Sequence, residues 1–273
     1  MITFGGKSRQ SLAQLRNDLD NALKGASAQQ CGAISADFFA AVRTLDSSTA
    51  LRRALTDPSR GATDKGALVR EIFANKLNAT VLDVIVNAAG LRWSKPSELS
   101  AALEQLAIEA LASGANISNE IDLLQSELFS FENIVSENFD LRQALSDAAT
   151  DKDGLIDDLL AKRFSATTVT LIKEIVTNRG TRSVENAIEG AVSGVLARRN
   201  RVNAIVTTSI PLTPAQQERL TASLTREIGQ PVHLNLVIDD SVIGGVQVLF
   251  KDEVIDGTIS YRLEEARRAL VSA

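Results

Sequence analysis

The chain has a single cysteine, Cys31, and a single histidine, His233, in 273 residues. One cysteine excludes an intramolecular disulfide, so nothing implies an oxidising compartment. In an Ala-rich helical stretch Cys31 reads as a small buried apolar residue rather than a catalytic thiol. A lone histidine on the polar face of a predicted strand is a poor start for a His-based metal site or a catalytic triad. Aromatic residues make up 4% of the chain, so its cores must be built from Ala, Leu, Ile and Val. The net charge is −5 and no Lys/Arg-rich block occurs, which argues against binding nucleic acid. Long hydrophobic runs are also missing. The most apolar window, 81–91, is interrupted by Asp83 and Asn87 and is too short to span a bilayer. The first residues lack the apolar core of a signal peptide. The expectation is a cytoplasmic protein with no direct membrane insertion, which works at a membrane only by docking on a protein already there.

What is present is a repeat. LRRALTD at 51–57 matches LRQALSD at 141–147, and DKGALVREIFANKLNATVLDVI at 64–85 parallels DKDGLIDDLLAKRFSATTVTLI at 151–172. Apolar positions stay in register: Leu68 with Leu155, Ile72 with Leu159, Leu77 with Phe164, Leu82 with Val169, Ile85 with Ile172. The shared LR-x-ALxD and DK signals point to duplication rather than chance likeness between Leu-rich helices. Both copies read as helical. The first carries Leu12, Leu15, Leu19 and Leu23 at helical spacing, followed by helices near 29–46, 48–57, 64–76, 79–91 and 97–113. The second has a long helix near 118–137 and a last one at 183–200 with a broad apolar stripe. It is one helix short, unless 97–113 is shared between the copies.

After residue 200 the pattern changes. Residues 203–209 and 232–238 read as strands rich in β-branched residues. Between them Thr213, Pro214 and Gln216 form the start signal of a helix and Gly229 its stop. A hairpin and a closing helix follow. The fold class is therefore mainly α with a small C-terminal α/β domain, a strand-helix-strand-strand-strand-helix unit. The expected domains are a first helical bundle at 1–113, a second at 114–200 and the α/β domain at 201–273.

Other motifs carry little chemistry. Gly5-Gly6-Lys7-Ser8 resembles the tail of a phosphate loop but lacks the preceding glycine and strand, so it reads as a flexible start. Gly190 and Gly194 in the last bundle helix suggest close approach of a neighbouring helix. Asp157-Asp158 and Asp239-Asp240 are adjacent residues that point apart and read as surface or turn. Trp93 with Pro96 marks a loop between helices, with Trp93 a core or partner anchor. No catalytic residue, cofactor site or metal site is assigned. The pattern is that of a protein whose function is contact.

The final segment is the most specific. Ser241-Val242-Ile243-Gly244-Gly245-Val246 is followed by Ile255-Asp256-Gly257-Thr258-Ile259-Ser260-Tyr261-Arg262-Leu263. The glycines permit backbone geometry that a side chain forbids. Asp256 and Gly257 turn the chain from strand to helix, and Thr258 can cap that helix. In spacing, order and position this stretch resembles the C-terminal signature of the delta subunit of the F-type ATP synthase, a family that includes the mitochondrial oligomycin-sensitivity-conferring protein. The resemblance covers about 115–270, and Gly244, Gly245, Asp256, Gly257, Thr258, Arg262 and Leu263 carry it as a mainly structural marker. The chain departs from the family's short form in its first 110 or so residues, and there it resembles the longer actinobacterial versions.

The resemblance implies a non-catalytic stator subunit at the cytoplasmic face of the bacterial plasma membrane, one copy per complex. It implies two partners: the N-terminal helix of an alpha subunit, held in a groove of a helical bundle, and the b subunit. The second copy is the favoured seat, because it directly precedes the α/β domain as in shorter members. Helix-in-groove docking needs an exposed apolar groove, and the candidates are the apolar faces of 118–137 and 166–178, including Val169, Ile172, Ile175 and Val176. The alternative is a stand-alone helical adaptor with a different partner.

Overall fold

A computed structural model describes residues 4–147, 149–180, 182–199, 202–229, 232–239, 242, 244–250 and 253–256. The chain divides into two compact units between Arg199 and Asn200. The described part of the first unit is helical throughout: α1 (Gly6–Ala22), α2 (Ala28–Asp46), α3 (Thr49–Thr56), α4 (Ala62–Phe73), α5 (Ala79–Gly90), α6 (Pro96–Ile117), α7 (Ile121–Glu137), α8 (Phe139–Ser146), α9 (Lys152–Leu160), α10 (Ala166–Thr177) and α11 (Val184–Arg199). The second unit contributes β1 (Val202–Thr208), α12 (Pro214–Ile228), β2 (Val232–Ile238), β3 (Val246–Phe250) and β4 (Glu253–Asp256). The mainly α fold with a small α/β unit is as the sequence predicts. The closing helix expected after Gly257 lies outside the described residues.

The repeat in the sequence extends to individual hydrogen bonds. The buried stripe of α2, Cys31, Ile34, Phe38, Ala41 and Leu45, recurs in α7 as Ile121, Leu124, Leu128, Phe131 and Val135. A carboxylate on each of these helices accepts from the backbone N–H that opens a later helix. Asp37 takes the N–H of Asn78 at 2.8 Å, and Glu127 that of Ser165 at 2.9 Å. Asn78 and Ser165 are themselves the N-caps of α5 and α10. Each of the two short helices also begins alike. Ser48 accepts from the N–H of Leu51 and Asn138 from that of Leu141. Arg52 then donates to the carbonyl of Leu45 and Arg142 to that of Val135, at 2.9 and 3.1 Å. A helix end leaves carbonyls unpaired, and in both copies an arginine on the next helix supplies the donor.

The boundary expected at 113/114 falls inside α6, which both copies use. It packs on α1, α2, α3 and α5 on one side and on α7, α10 and α11 on the other. Almost all of its length from Glu98 to Ala115 is buried. A helix so enclosed must pair every polar group it carries. Glu98 accepts from the Gly5 N–H at 3.1 Å, the Ser8 hydroxyl at 2.5 Å and the Lys95 N–H at 3.2 Å. Glu104 pairs with Arg182 at 2.7 Å and Glu109 with Arg16 at 2.6 Å. The ion pair of Asp20 on α1 with Arg198 on α11 ties the first copy directly to the last helix of the second.

This network corrects the reading of Gly5–Ser8 as a flexible start. The helix begins at Gly6, Ser8 is buried, and the Ser8 hydroxyl accepts from the Ser94 N–H at 2.8 Å. A Cβ on Gly5 would lie 2.4 Å from the Ser94 hydroxyl oxygen, so only glycine fits there. The expected close approach at the two glycines of α11 is met at one of them. A Cβ on Gly194 would sit 2.8 Å from Ile108 Cγ2 and 2.9 Å from Gln105 Nε2, whereas Gly190 has nothing within 4 Å.

In the second unit β1 and β2 are parallel, joined by α12, with Val202 opposite Val232 and Thr208 opposite Ile238. A parallel pair needs such a crossover. β3 runs antiparallel to β1 and pairs on its other side with β4, giving the order β2-β1-β3-β4. The predicted start and stop of α12 are both present: Thr213 and Gln216 form a reciprocal capping box, and Gly229 is left-handed at φ 72°. Leu224 and the partly buried Leu220 pack with Val206, Val232 and Val248 as a small core.

Two outcomes follow for the stability of the helical unit. Burial alone would push the Glu98 carboxyl up, but the donors from Ser8, Gly5 and Lys95 outweigh it and hold the carboxyl below the ordinary value of 4.5. A carboxyl held low in the fold stabilises fully above its unfolded value and loses that contribution as pH falls through the folded value. Glu98→Gln should therefore lower Tm near neutral pH, with the gap to wild type closing as pH falls below the ordinary carboxyl value of 4.5. A gap that widens in acid would contradict the network. In α11, Gly190→Ala should raise stability by about 0.5–1 kcal/mol through helix propensity. Gly194→Ala should instead cost about 1–3 kcal/mol, because its methyl has no room; equal effects in chemical denaturation would be the contrary result.

Candidate docking surfaces

Among the described residues no group of three or more His, Cys, Asp or Glu is placed to hold a metal ion, and no helix is long and apolar enough to cross a membrane. The buried carboxylates serve the fold. Burial pushes the Glu104 carboxyl up, and the facing Arg182 guanidinium opposes the rise. Cys31 is fully buried, and burial pushes its thiol up as well. A thiol held that way is a poor nucleophile, which agrees with its reading as a packing residue. Trp93 is half-buried at the edge of the helical core and donates its ring N–H to the Ala88 carbonyl at 2.8 Å.

The candidate groove residues are brought together, but in the interior. Val169, Ile172, Ile175 and Val176 on α10 are all buried, at 7% exposure or less. In this chain alone they line no open surface. Their helical spacing marks one apolar face, and that face is turned into the bundle. The open side of α10 instead borders a crevice between α2, α6 and α10, bounded by Gly32, Leu111, Gly114, Ala115, Ala166 and Thr170.

The large apolar side chains that do stand exposed in the helical unit are Ile117, Leu123, Phe129, Ile134, Phe139 and Leu159. All fall between the end of α6 and the end of α9. No large apolar side chain of α1 to α5 is comparably exposed among the described residues. The exposed large apolar side chains of the helical unit thus belong, among the described residues, to the end of the shared helix and to the second copy. The Arg142 guanidinium lies 5.8 Å from the centroid of the Phe139 ring, a cation–π contact that leaves most of that ring open. Sequence reasoning missed these side chains, although one signal was there: Phe129 is apolar yet off the stripe of Ile121, Leu124, Leu128, Phe131 and Val135.

The signature residues of the second unit cluster by register. Gly244 and Gly245 both lie in the left-handed region, at φ 64° and 83°, and lead directly into β3. Val246 pairs with Thr208, and Gln247 with Asp256 at the end of β4. Two pieces far apart in the motif, the glycine pair and Asp256, therefore meet at one end of a single hairpin. Gly257, Thr258, Arg262 and Leu263 lie outside the described residues.

A family model described as the ATP synthase delta (OSCP) subunit matches residues 108–270. The chain belongs to this family. The delta-family segment begins within α6, so it takes the second half of that helix, α7 to α11 and the α/β unit. The five helices before α6 lie ahead of it, yet relatives share them. A protein named ATP synthase subunit delta from Streptomyces coelicolor is 38% identical over 275 residues, covering 100% of both chains. One of the same name from Kineococcus radiotolerans is 38% identical over 97% of each chain. Another from Thermobifida fusca is 36% identical over 97% of this chain and 98% of its own. The long form with a duplicated helical region is thus a form of the delta family that this chain shares with actinobacterial relatives.

The glycine pair gives a direct check on the delta hairpin. An alanine at a positive φ costs roughly 1–2 kcal/mol. Gly244→Ala and Gly245→Ala should each destabilise the α/β unit by about that amount, read as loss of amide protection in β3 and β4 by hydrogen exchange. Protection equal to wild type in both variants would mean that the hairpin does not need these backbone angles.

Proposed function

We propose that this chain is the delta subunit of an F-type ATP synthase, a non-catalytic link of the peripheral stalk. It joins the catalytic head to the b subunit at the cytoplasmic face of the bacterial plasma membrane, so that the head does not turn with the central shaft. The observation that carries the reading is the full-length match to proteins named ATP synthase subunit delta, over both the helical unit and the signature hairpin. Nothing in a stator link requires a reacting group. Its work is to resist torque through fitted surfaces, and the paired, enclosed polar groups of α6 suit a part that must not yield.

We further infer that the N-terminal helix of an alpha subunit seats on the second copy, whose exposed apolar side chains are of the kind helix-in-groove docking needs. Val169, Ile172, Ile175 and Val176 then act from beneath, as the core that fixes α10. The α/β unit is the part assigned to the b subunit.

Membrane vesicles from cells depleted of the protein provide the test. ATP hydrolysis by the released head should persist, while ATP-driven proton uptake falls to background and returns when the purified chain is added back. Full proton pumping in depleted vesicles would reject the stator role.

A further inference from the structure

The two copies differ sharply in charge. Residues 1–95 hold 13 lysines and arginines against 8 aspartates and glutamates, a net +5, whereas residues 96–199 hold 9 against 17, a net −8. Part of the positive excess gathers at one end of the first copy, where α1, α4 and α6 all begin. Ser8 on α1 meets Ser94 just ahead of α6, and Ser11 donates to the Arg92 carbonyl at 2.7 Å. The start of α4 lies against the end of α5, where a Cβ on Gly90 would be 3.6 Å from Ala62 Cβ. Lys7, Arg60, Arg92 and Lys95 stand exposed here. The cations of the first copy that form ion pairs among the described residues are Arg16, Arg43 and Arg52, none of them at this end.

The start of α4 is open where its counterpart is closed. α9 is capped by Asp151, whose carboxylate accepts from the Gly154 N–H at 3.2 Å. α4 has Gly61 in that position and no side-chain cap, so its first N–H groups leave the positive end of the helix bare. Asp64 and Lys65, the counterparts of Asp151 and Lys152 in the repeat, fall inside α4 instead. Lys65 is 4% exposed, yet its ammonium makes no hydrogen bond or ion pair among the described residues. Helical side chains lean toward the N-terminus, and this one reaches the field of Asp57 and Arg92. Burial pushes the ammonium down, Asp57 opposes that, and Arg92 adds to it. Asp57 turns its Oδ1 to the N–H and hydroxyl of Ser59, at 2.9 and 2.7 Å, and not to Lys65. A buried cation with no anion in contact costs free energy that a carboxylate would recover.

We propose that the start of α4 receives a carboxylate from an acidic segment of another subunit, bound by the N–H groups of Ala62 and Thr63 and by Arg60, Lys65 and Arg92. Asp151 shows the chemistry, since a carboxylate already fills the same place in the second copy. The acids at this end, Asp57, Asp64 and the enclosed Glu98, are too few to neutralise its cations. A long polyanion such as nucleic acid is disfavoured, because beyond this end it meets the net −8 of residues 96–199. A short acidic protein segment engages the positive end alone. The inference rests on the stator reading, because it takes the donor to be a subunit of the same complex.

The test uses the complete ATP synthase, purified with the full chain in place. Benzoylphenylalanine replaces the exposed Thr63 and is photo-activated. The expected result is a crosslink to a different subunit, in a peptide that contains Asp or Glu. No adduct, or an adduct only within this chain or to a second copy of it, would overturn the site. Gly61→Asp gives α4 the cap that Asp151 gives α9. It should leave the Tm of the isolated protein no lower than wild type. It should nonetheless reduce retention of the subunit in the salt-washed complex by about tenfold, because the site is then filled from within. A role in folding alone predicts no such loss. Arg60→Glu combined with Arg92→Glu should act on retention in the same direction, with the gap to wild type narrowing as salt is raised. Wild-type retention of both variants would count against the proposal. If the unmodified chain does not purify with the ATP synthase at all, the stator reading fails, which is distinct from a site that fails within an intact complex.

Discussion

Everything in the helical unit turns on the enclosure of α6. A helix in a protein of this size normally keeps one face for water, and its charges collect there. This one has almost no such face, because the two copies use it at once, as the last helix of one and an early helix of the other. Its three glutamates are therefore buried, two of them answered from α1 and one from the turn before α11. Glu98 is met by the start of α1, Glu109 by Arg16 on α1, and Glu104 by Arg182 just before α11. Buried ion pairs gain little net stability over apolar packing, but removing one partner is costly. Their effect is to fix which helices lie against α6 and in what register.

The small residues of the chain follow from the same constraint. Gly114 brings α6 so near α2 that a Cβ would lie 3.0 Å from the Ala28 carbonyl oxygen and 3.1 Å from Cys31 Cβ. Gly194 performs the same task against Ile108 on the other side. With aromatics at 4% of residues, the core has few large side chains to fill gaps. It reaches native density by bringing backbones close, and alanine, glycine and one cysteine permit this.

Much of this could be read from the sequence, and the limits have physical causes. Helices were legible because their apolar period is strong, and α12 was legible to the residue because Thr213, Gln216 and Gly229 act locally. The sharing of the helix near 97–113 could be framed but not decided, since a stripe of apolar residues does not say how many sides will be covered. Gly5–Ser8 was misread because local signals alone suggest freedom, whereas its partner Glu98 lies far along the chain. The candidate groove on α10 met the same difficulty. Val169, Ile172, Ile175 and Val176 share a face, and period alone cannot tell a core face from an open one. Phe129 was visible as an apolar residue out of register, but its exposure shows only in the fold.

The shared helix also bears on how the long form relates to shorter ones. Had the added copy been strung on by a linker, it could be clipped away and leave a complete smaller bundle. Here the seam runs lengthwise through α6, so excision of α1 to α5 would lay bare the face of α6 that carries Ala107 and Gly114 and orphan Glu98 and Glu109. Shortening the protein would then require redesigning a whole helical surface, and the enlarged architecture is locked in by its own packing.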